Sequence, residues 1–302
     1  MRTIPHVQHD ELPFQDGTVS RYICLMFIVA MSVVLGAADA QTARQARAEV
    51  EASMLVTGHV EIDPAGHVVS HTLDQPGKLP PYVVDLIDRA VPSLRFEPIL
   101  EQGVPVAVRS KMGLRLVATP AGDGDMRIRL RSAHFGETAA ESEASGVRAL
   151  DMKPPHYPES IARMGGKGIA YLLVKIDRDG RVEDVVAEQV NLTAIGTLSE
   201  MDRIRNALSR NAVVAARRWT FSVPTEGEDA DRGYWVIRVP VEYTLHDDRE
   251  TEYGAWSAYH PGPRLQPDWA RPVPEGFSPD ALATGAVAPE ASRFRLLTPI
   301  EG

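Results

Sequence analysis

Residues 154–186 read PPHYPESIARMGGKGIAYLLVKIDRDGRVEDVV, and the fold turns on them. Ala170, Leu172, Val174 and Ile176 alternate with Tyr171, Leu173, Lys175 and Asp177, the period of two that marks a half-buried strand. Asp177-Arg178-Asp179-Gly180 follows. Its acidic side chains can cap local backbone, and Gly180 can take the left-handed conformation that closes a short hairpin. Val182, Val185 and Val186 begin the return strand. Tyr157-Pro158-Glu159-Ser160-Ile161-Ala162 predicts a short helix with Pro158 near its first turn, and the glycines at 165, 166 and 168 let the chain swing into the sheet. Nothing in the stretch is catalytic. It is a scaffold, and function has to be sought in what its surface binds.

Working outward, the same hairpin occurs earlier. Val60-Glu61-Ile62-Asp63-Pro64-Ala65-Gly66-His67-Val68 aligns with Val174-Lys175-Ile176-Asp177-Arg178-Asp179-Gly180-Arg181-Val182 at a constant offset. Each hairpin precedes a helical segment, Pro80 to Val91 and then Leu198 to Arg217. Next comes an aromatic strand start, Leu94-Arg95-Phe96 and then Trp219-Thr220-Phe221. A last strand closes each unit, Val104 to Val117 and then Tyr234 to Leu245. The prediction is therefore an α+β chain carrying a β-β-α-β unit twice, with antiparallel sheets. The expected domains are 54–131 and 151–246, joined by a small, acidic linker over 132–150; Arg127 to Arg131 reads as one more short strand.

The flanks have other characters. Tyr22 to Ala38 is an apolar run behind Arg21, ending at the small-x-small triplet Ala38-Asp39-Ala40, so residues 1–40 are expected to be a cleaved signal peptide or a retained single-pass anchor. The acidic Asp10, Glu11 and Asp16 do not suit such a leader, and a natural start near Val19 is expected. Beyond His246 periodicity is lost and prolines gather, so 247–302 is expected to be a largely disordered tail, with Trp256, Tyr259 and Trp269 able to pin part of it to the second unit. A net charge of −9 excludes a nucleic-acid binder, which would show a basic stripe. The lone Cys24 excludes disulfides within the chain.

At Tyr157-Pro158, Gly168, Asp179-Gly180-Arg181-Val182, Trp219-x-Phe221 and Val239-Pro240-Val241-x-Tyr243, the sequence resembles the C-terminal domain of the TonB family. The resemblance spans Pro154 to Leu245, and Thr57 to Ala118 looks like a degenerate version with Leu94 where the tryptophan would stand. It implies a small α+β fold working in the periplasm of a Gram-negative envelope. It also implies a partner, an outer-membrane receptor or other envelope protein, whose extended peptide adds as a strand beside the last strand of the sheet. Residue patterning agrees on the place. Pro240 cannot donate to a ladder, which puts Tyr234 to Leu245 at an edge, and an exposed edge is a template for another chain. The expected peptide-binding residues are Tyr234, Trp235, Val236, Ile237, Arg238 and Val239, with Tyr157 and Pro158 flanking by resemblance. Packing within the core is the competing role for Tyr157, Trp219 and Phe221.

Two departures from the family matter. Members that transmit force carry a histidine in the membrane helix, and Tyr22 to Ala38 has Ser32 but no histidine. They also place a proline-rich spacer between anchor and domain, where this chain has its first β-β-α-β unit. The favoured expectation is a non-catalytic periplasmic binding protein; the alternative is an anchored energy transducer for receptor-mediated transport. Strand exchange into a homodimer is also open. No metal, cofactor or catalytic constellation is expected: His59 and His71 should face opposite sides of their hairpin, and no nucleophile elbow occurs.

Overall fold

The structure, a computed structural model, describes residues 51–122, 125–136, 146–227, 229–245, 252–272, 277–290 and 292–300, all within one compact unit, Ala46–Gly302. The apolar run from Tyr22 to Ala38 lies outside them. Among the described residues no helix is long and apolar enough to cross a membrane.

The fold is α+β with antiparallel sheets and few helices. In chain order the strands are β1 (Glu51–Ile62), β2 (Val68–Leu73), β3 (Leu100–Glu101), β4 (Val104–Pro105), β5 (Val108–Gly122), β6 (Asp125–Gly136) and β7 (Arg148–Asp151). There follow β8 (Gly168–Ile176), β9 (Val182–Leu192), β10 (Thr220–Ser222), β11 (Trp235–Tyr243), β12 (Ser257–Tyr259) and β13 (Ala288–Pro289). The α-helices are α1 (Pro81–Ala90), α2 (Glu159–Arg163) and α3 (Leu198–Ala216).

Two sheets carry the molecule. The first runs β12-β1-β5-β6 with β2 on the far half of β1; the second runs β13-β11-β8-β9. Both are built around the hairpins that the sequence set in register. Asp63 accepts the N–H groups of Ala65 (2.9 Å) and His67 (2.8 Å), and Asp177 accepts those of Asp179 (2.9 Å) and Arg181 (2.8 Å). Gly66 and Gly180 sit at φ 84° and 76°. A Cβ on either would meet a backbone oxygen of the aromatic segment, Phe96 at 2.0 Å or Phe221 at 1.9 Å. That crowding exists because each glycine carbonyl accepts the aromatic residue's N–H at 2.8 Å, tying hairpin to aromatic strand.

One face of each sheet is apolar and covered by its own helix. On β8 it is Ala170, Leu172, Val174 and Ile176, against Met201, Ile204, Leu208, Ala212 and Ala216 of α3, spaced three and four apart to form one stripe. Burying each large apolar side chain contributes about 1.5–3 kcal/mol. Thr197 starts α3 with a capping box closed by Glu200. Trp219 and Phe221 belong to this core, and the Trp219 indole N–H donates to the Lys153 carbonyl at 2.8 Å. On the first sheet Met54, Val56, Val60 and Ile62 of β1 pack against Val83 and Ile87 of α1.

The two helix-free faces meet through a polar layer. Bulges build it: β9 slips register between Tyr171 and Leu172, so consecutive Glu188 and Gln189 both fall on the inner face, and β6 slips between Arg115 and Leu116 to do the same for Arg131 and Ser132. The Arg115 charge on β5 acts on Tyr171 of β8, whose burial pushes its phenol well above the ordinary range. Asn191 of β9 donates to the Tyr259 hydroxyl at 3.0 Å.

The segment beyond residue 247 departs from the expectation of disorder. It supplies β12, pairs it with β1, and places Tyr259 in the layer. Of the three aromatics expected to pin the tail to the second unit, Tyr259 and Trp269 reach β9, Tyr259 through Asn191 and Trp269 by donating to Asp184 at 2.9 Å, whereas Trp256 packs on the first core, as does Tyr253. Buried Asp280 is the tail's deepest point. Its carboxylate accepts the hydroxyls of Ser132 (2.7 Å) and Tyr259 (2.5 Å), and its carbonyl accepts the Arg115 guanidinium at 2.9 and 2.7 Å. A proline-rich composition does not prevent packing where aromatic and charged side chains find such partners. The linker region differs too: β6 continues to Gly136, and β7 pairs with β10.

A candidate strand-addition edge on the second sheet

The outer edge of β11 is where sequence reading located binding. Ile237 pairs Val174 of β8 on one side and Pro289 of β13 on the other. The Glu290 N–H donates to the Val236 carbonyl at 2.9 Å, so backbone groups of even-numbered β11 residues point away from β8. Pro240 falls in that set. Its missing N–H therefore lies on the outer edge, where no β8 partner needs it.

How that edge is closed distinguishes the two sheets. In the first sheet β5, which follows its aromatic segment as β11 follows its own, is covered on the corresponding side by twelve-residue β6, paired from Lys111↔Gly136 to Gly122↔Asp125. In the second the place beside β11 is held by β13, paired at Ile237 and Arg238 alone. Among the described residues, no strand lies beside the outer edge from Val239 to Tyr243.

The expected site residues are mostly buried. Tyr234 is 42 % exposed, with the Lys175 ammonium 4.5 Å from its ring centroid. Trp235 is in the interior, its indole donating to the Asp229 carbonyl at 3.0 Å. Ile237 and Val239 face the α3 core, and Val236 and Arg238 face the polar layer. Tyr157 and Pro158 stand apart from them. Pro158 caps α2, and Tyr157 packs its ring 5.6 Å from Tyr243, at the opposite end of β11 from Tyr234, while its hydroxyl donates to the Gly166 carbonyl.

Three residues not anticipated, Glu188, Arg264 and Glu290, join the expected Arg238 in giving the edge its charge. Arg238 and Glu188 are each 1 % exposed. The Arg238 Nε donates to Glu188 at 2.8 Å, its Nη1 to the Glu290 carbonyl at 2.8 Å, and Arg264 donates to the same carboxylate at 2.6 and 3.0 Å. The Phe277 ring lies 4.6 Å from the Arg238 guanidinium and 6.0 Å from His134 of β6. Burial and the Arg238 charge push His134 down to about 4. Partial burial raises the Glu290 carboxyl, against the lowering pull of the Arg271 N–H that donates to it at 2.5 Å. One signal was available, for Arg238 alone: it interrupts the apolar run from Trp235 to Val241.

The histidines bring nothing together. The register sends His71 toward α1, where it bonds Asp88 at 2.8 Å, and His59 to the other face. Among the described residues no three His, Cys, Asp or Glu side chains converge on a common point.

Two proteins from Xanthomonas campestris pv. campestris, strains B100 and ATCC 33913, both named Protein TonB, are 32 % identical to this chain over 100 residues. The matched stretch is 33 % of this chain and 39 % of each relative, so the chain spans about two fifths of the length of the relatives it matches. No family model matches the chain, and no solved structure matches it. Over a third of its length the chain is thus related in sequence to TonB proteins.

Proposed function

We propose that this is a non-catalytic, periplasm-facing protein of the cell envelope, built from two TonB-C-like modules, that binds an extended segment of an outer-membrane receptor or other envelope partner. The segment adds as a strand to the outer edge of β11. The observation that carries the reading is the unequal closure of equivalent edges: β5 is sealed by twelve-residue β6, whereas β11 is held by a strand of two residues and turns its proline outward. Strand addition draws affinity from main-chain bonds, so it needs outward N–H and C=O groups, which β11 offers at alternate positions.

The test places a photo-crosslinking amino acid at exposed Glu242 and follows crosslinks in the native envelope with and without Val236→Pro. Val236 is chosen because its N–H points outward, whereas Ile237→Pro would break the β8 ladder and the core. Crosslinks to an outer-membrane protein that vanish in a still-folded Val236→Pro variant support strand addition; crosslinks indifferent to the proline reject it.

The second reading is an anchored transducer for receptor-mediated transport, favoured by the apolar run Tyr22 to Ala38 and by the name of the relatives. Intact mass and fractionation separate the two. A species beginning at Gln41 in the soluble periplasm removes the anchor; a full-length species in the inner membrane supports the transducer.

A further inference from the structure

We infer that residues 283–290 form a strap that occupies the β11 edge in the resting protein and must lift before a partner strand can enter. This rests on the reading of β11 as the binding edge and adds to it a gate.

The strap starts from a firm anchor outside the second sheet. Asp280 is buried beneath it, tied to Arg115 and Ser132 of the first sheet. Past its other end, Ser292 donates to the Phe135 carbonyl of β6 at 2.7 Å and Phe294 is buried in the first core. Between these anchors only the stretch from Val287 to Glu290 engages β11. Ala288 is buried against Arg238, the Glu290 N–H bonds the Val236 carbonyl, and the Glu290 carbonyl accepts from Arg238. Pro289 sits where its missing N–H is not needed, because directly opposed antiparallel residues alternate between bonded and non-bonded pairs.

A ligand tethered at both ends holds its edge by proximity, with few contacts of its own. Lifting the middle breaks this short ladder and the bond from the Arg271 N–H to the Glu290 carboxylate, and leaves Asp280 and Phe294 in place, so opening does not require the body to unfold. The same tether lets the strap return when a partner leaves. The strap also describes what fits: an extended segment antiparallel to β11, with a small residue opposite Arg238 and a backbone N–H opposite Val236.

The test uses the full chain and a fluorescent peptide of the strap's own sequence, TGAVAPE (residues 284–290), read by anisotropy. Glu290→Pro deletes the N–H that bonds Val236 and the carboxylate that accepts from Arg271 while leaving both anchors intact, and should bind the peptide at least tenfold more tightly than the native chain, since apparent affinity scales with the open fraction. A Val236→Cys/Glu290→Cys pair in a Cys24→Ser background should oxidise, because opposed positions lie within disulfide reach. The oxidised chain should exclude the peptide, and reduction should readmit it. Native-state hydrogen exchange should show the Glu290 amide opening well before the amides of β8. Equal peptide affinity in the native chain and Glu290→Pro overturns the inference. So does failure of the cysteine pair to oxidise in the folded chain, or exchange of Glu290 only through global unfolding. These outcomes do not depend on the envelope partner: envelope crosslinks that persist in the oxidised lock reject the gate and leave strand addition standing, whereas peptide gating without any crosslink keeps the gate and rejects the partner.

Discussion

At the scale of single residues, the glycines of the two hairpins are held by space as well as by backbone angle. Gly180→Ala forces a Cβ into the Phe221 carbonyl at positive φ, and should destabilise the fold by at least about 1–3 kcal/mol in urea titration. These glycines were legible because Asp-x-x-Gly announces its own turn. The buried Glu188–Arg238–Arg264 cluster was not, because a bulge broke the alternation that would have assigned Glu188 a face. Its energetics are asymmetric. Glu188→Ala strands the buried Arg238 guanidinium and should cost about 3–5 kcal/mol, whereas Arg238→Met leaves Glu188 with Arg264 and should cost clearly less in the same titration. His134 adds a pH term. Its native pKa of about 4 lies below the unfolded value near 6.5, so the unfolded chain binds the extra proton in that window. Stability should fall as pH drops from about 6.5 to 4, by on the order of 2–3 kcal/mol, and His134→Gln should flatten the profile in pH-dependent melts.

At the scale of elements, patterning located the long members well. The expected Leu198 to Arg217 and Tyr234 to Leu245 became α3 over Leu198–Ala216 and β11 over Trp235–Tyr243. The capping box that starts α3 predicts that Thr197→Ala lowers stability by about 1 kcal/mol, measured by thermal melting followed through helical circular dichroism. Expectation and structure part where an element depends on distant chain. Arg127 to Arg131 read as a short strand, yet pairing with β5 draws out twelve residues of β6. Two-residue β13 has no pattern to read; pairing with β11 alone defines it. Tyr157 was expected to flank the peptide by resemblance, with core packing as its competing role, and it packs against Tyr243 and the α3 core.

At the scale of the whole molecule, two sheets turn their helices outward and share a polar layer sealed by the tail. Composition could not reveal this, because the layer's partners lie far apart in the chain: Asn191 with Tyr259, Ser132 with Asp280, Arg238 with Glu290. Deleting residues 252–302 should uncover Tyr171, Leu173 and Val117 between the sheets, and the truncated chain should bind a hydrophobic dye and lose its single cooperative melt.

The tail's route also sets an order in time. Tyr253 bonds the backbone of Thr57, Ser257 that of Ser53, and Thr298 accepts from Arg95, contacts spanning 196, 204 and 203 residues. Among the described residues, the first strand is thus completed by residues made about two hundred positions later. Such long loop closures slow folding, so a chain leaving a ribosome, or any pore threaded N-terminus first, keeps the start of β1 waiting until Tyr253 and Ser257 have followed.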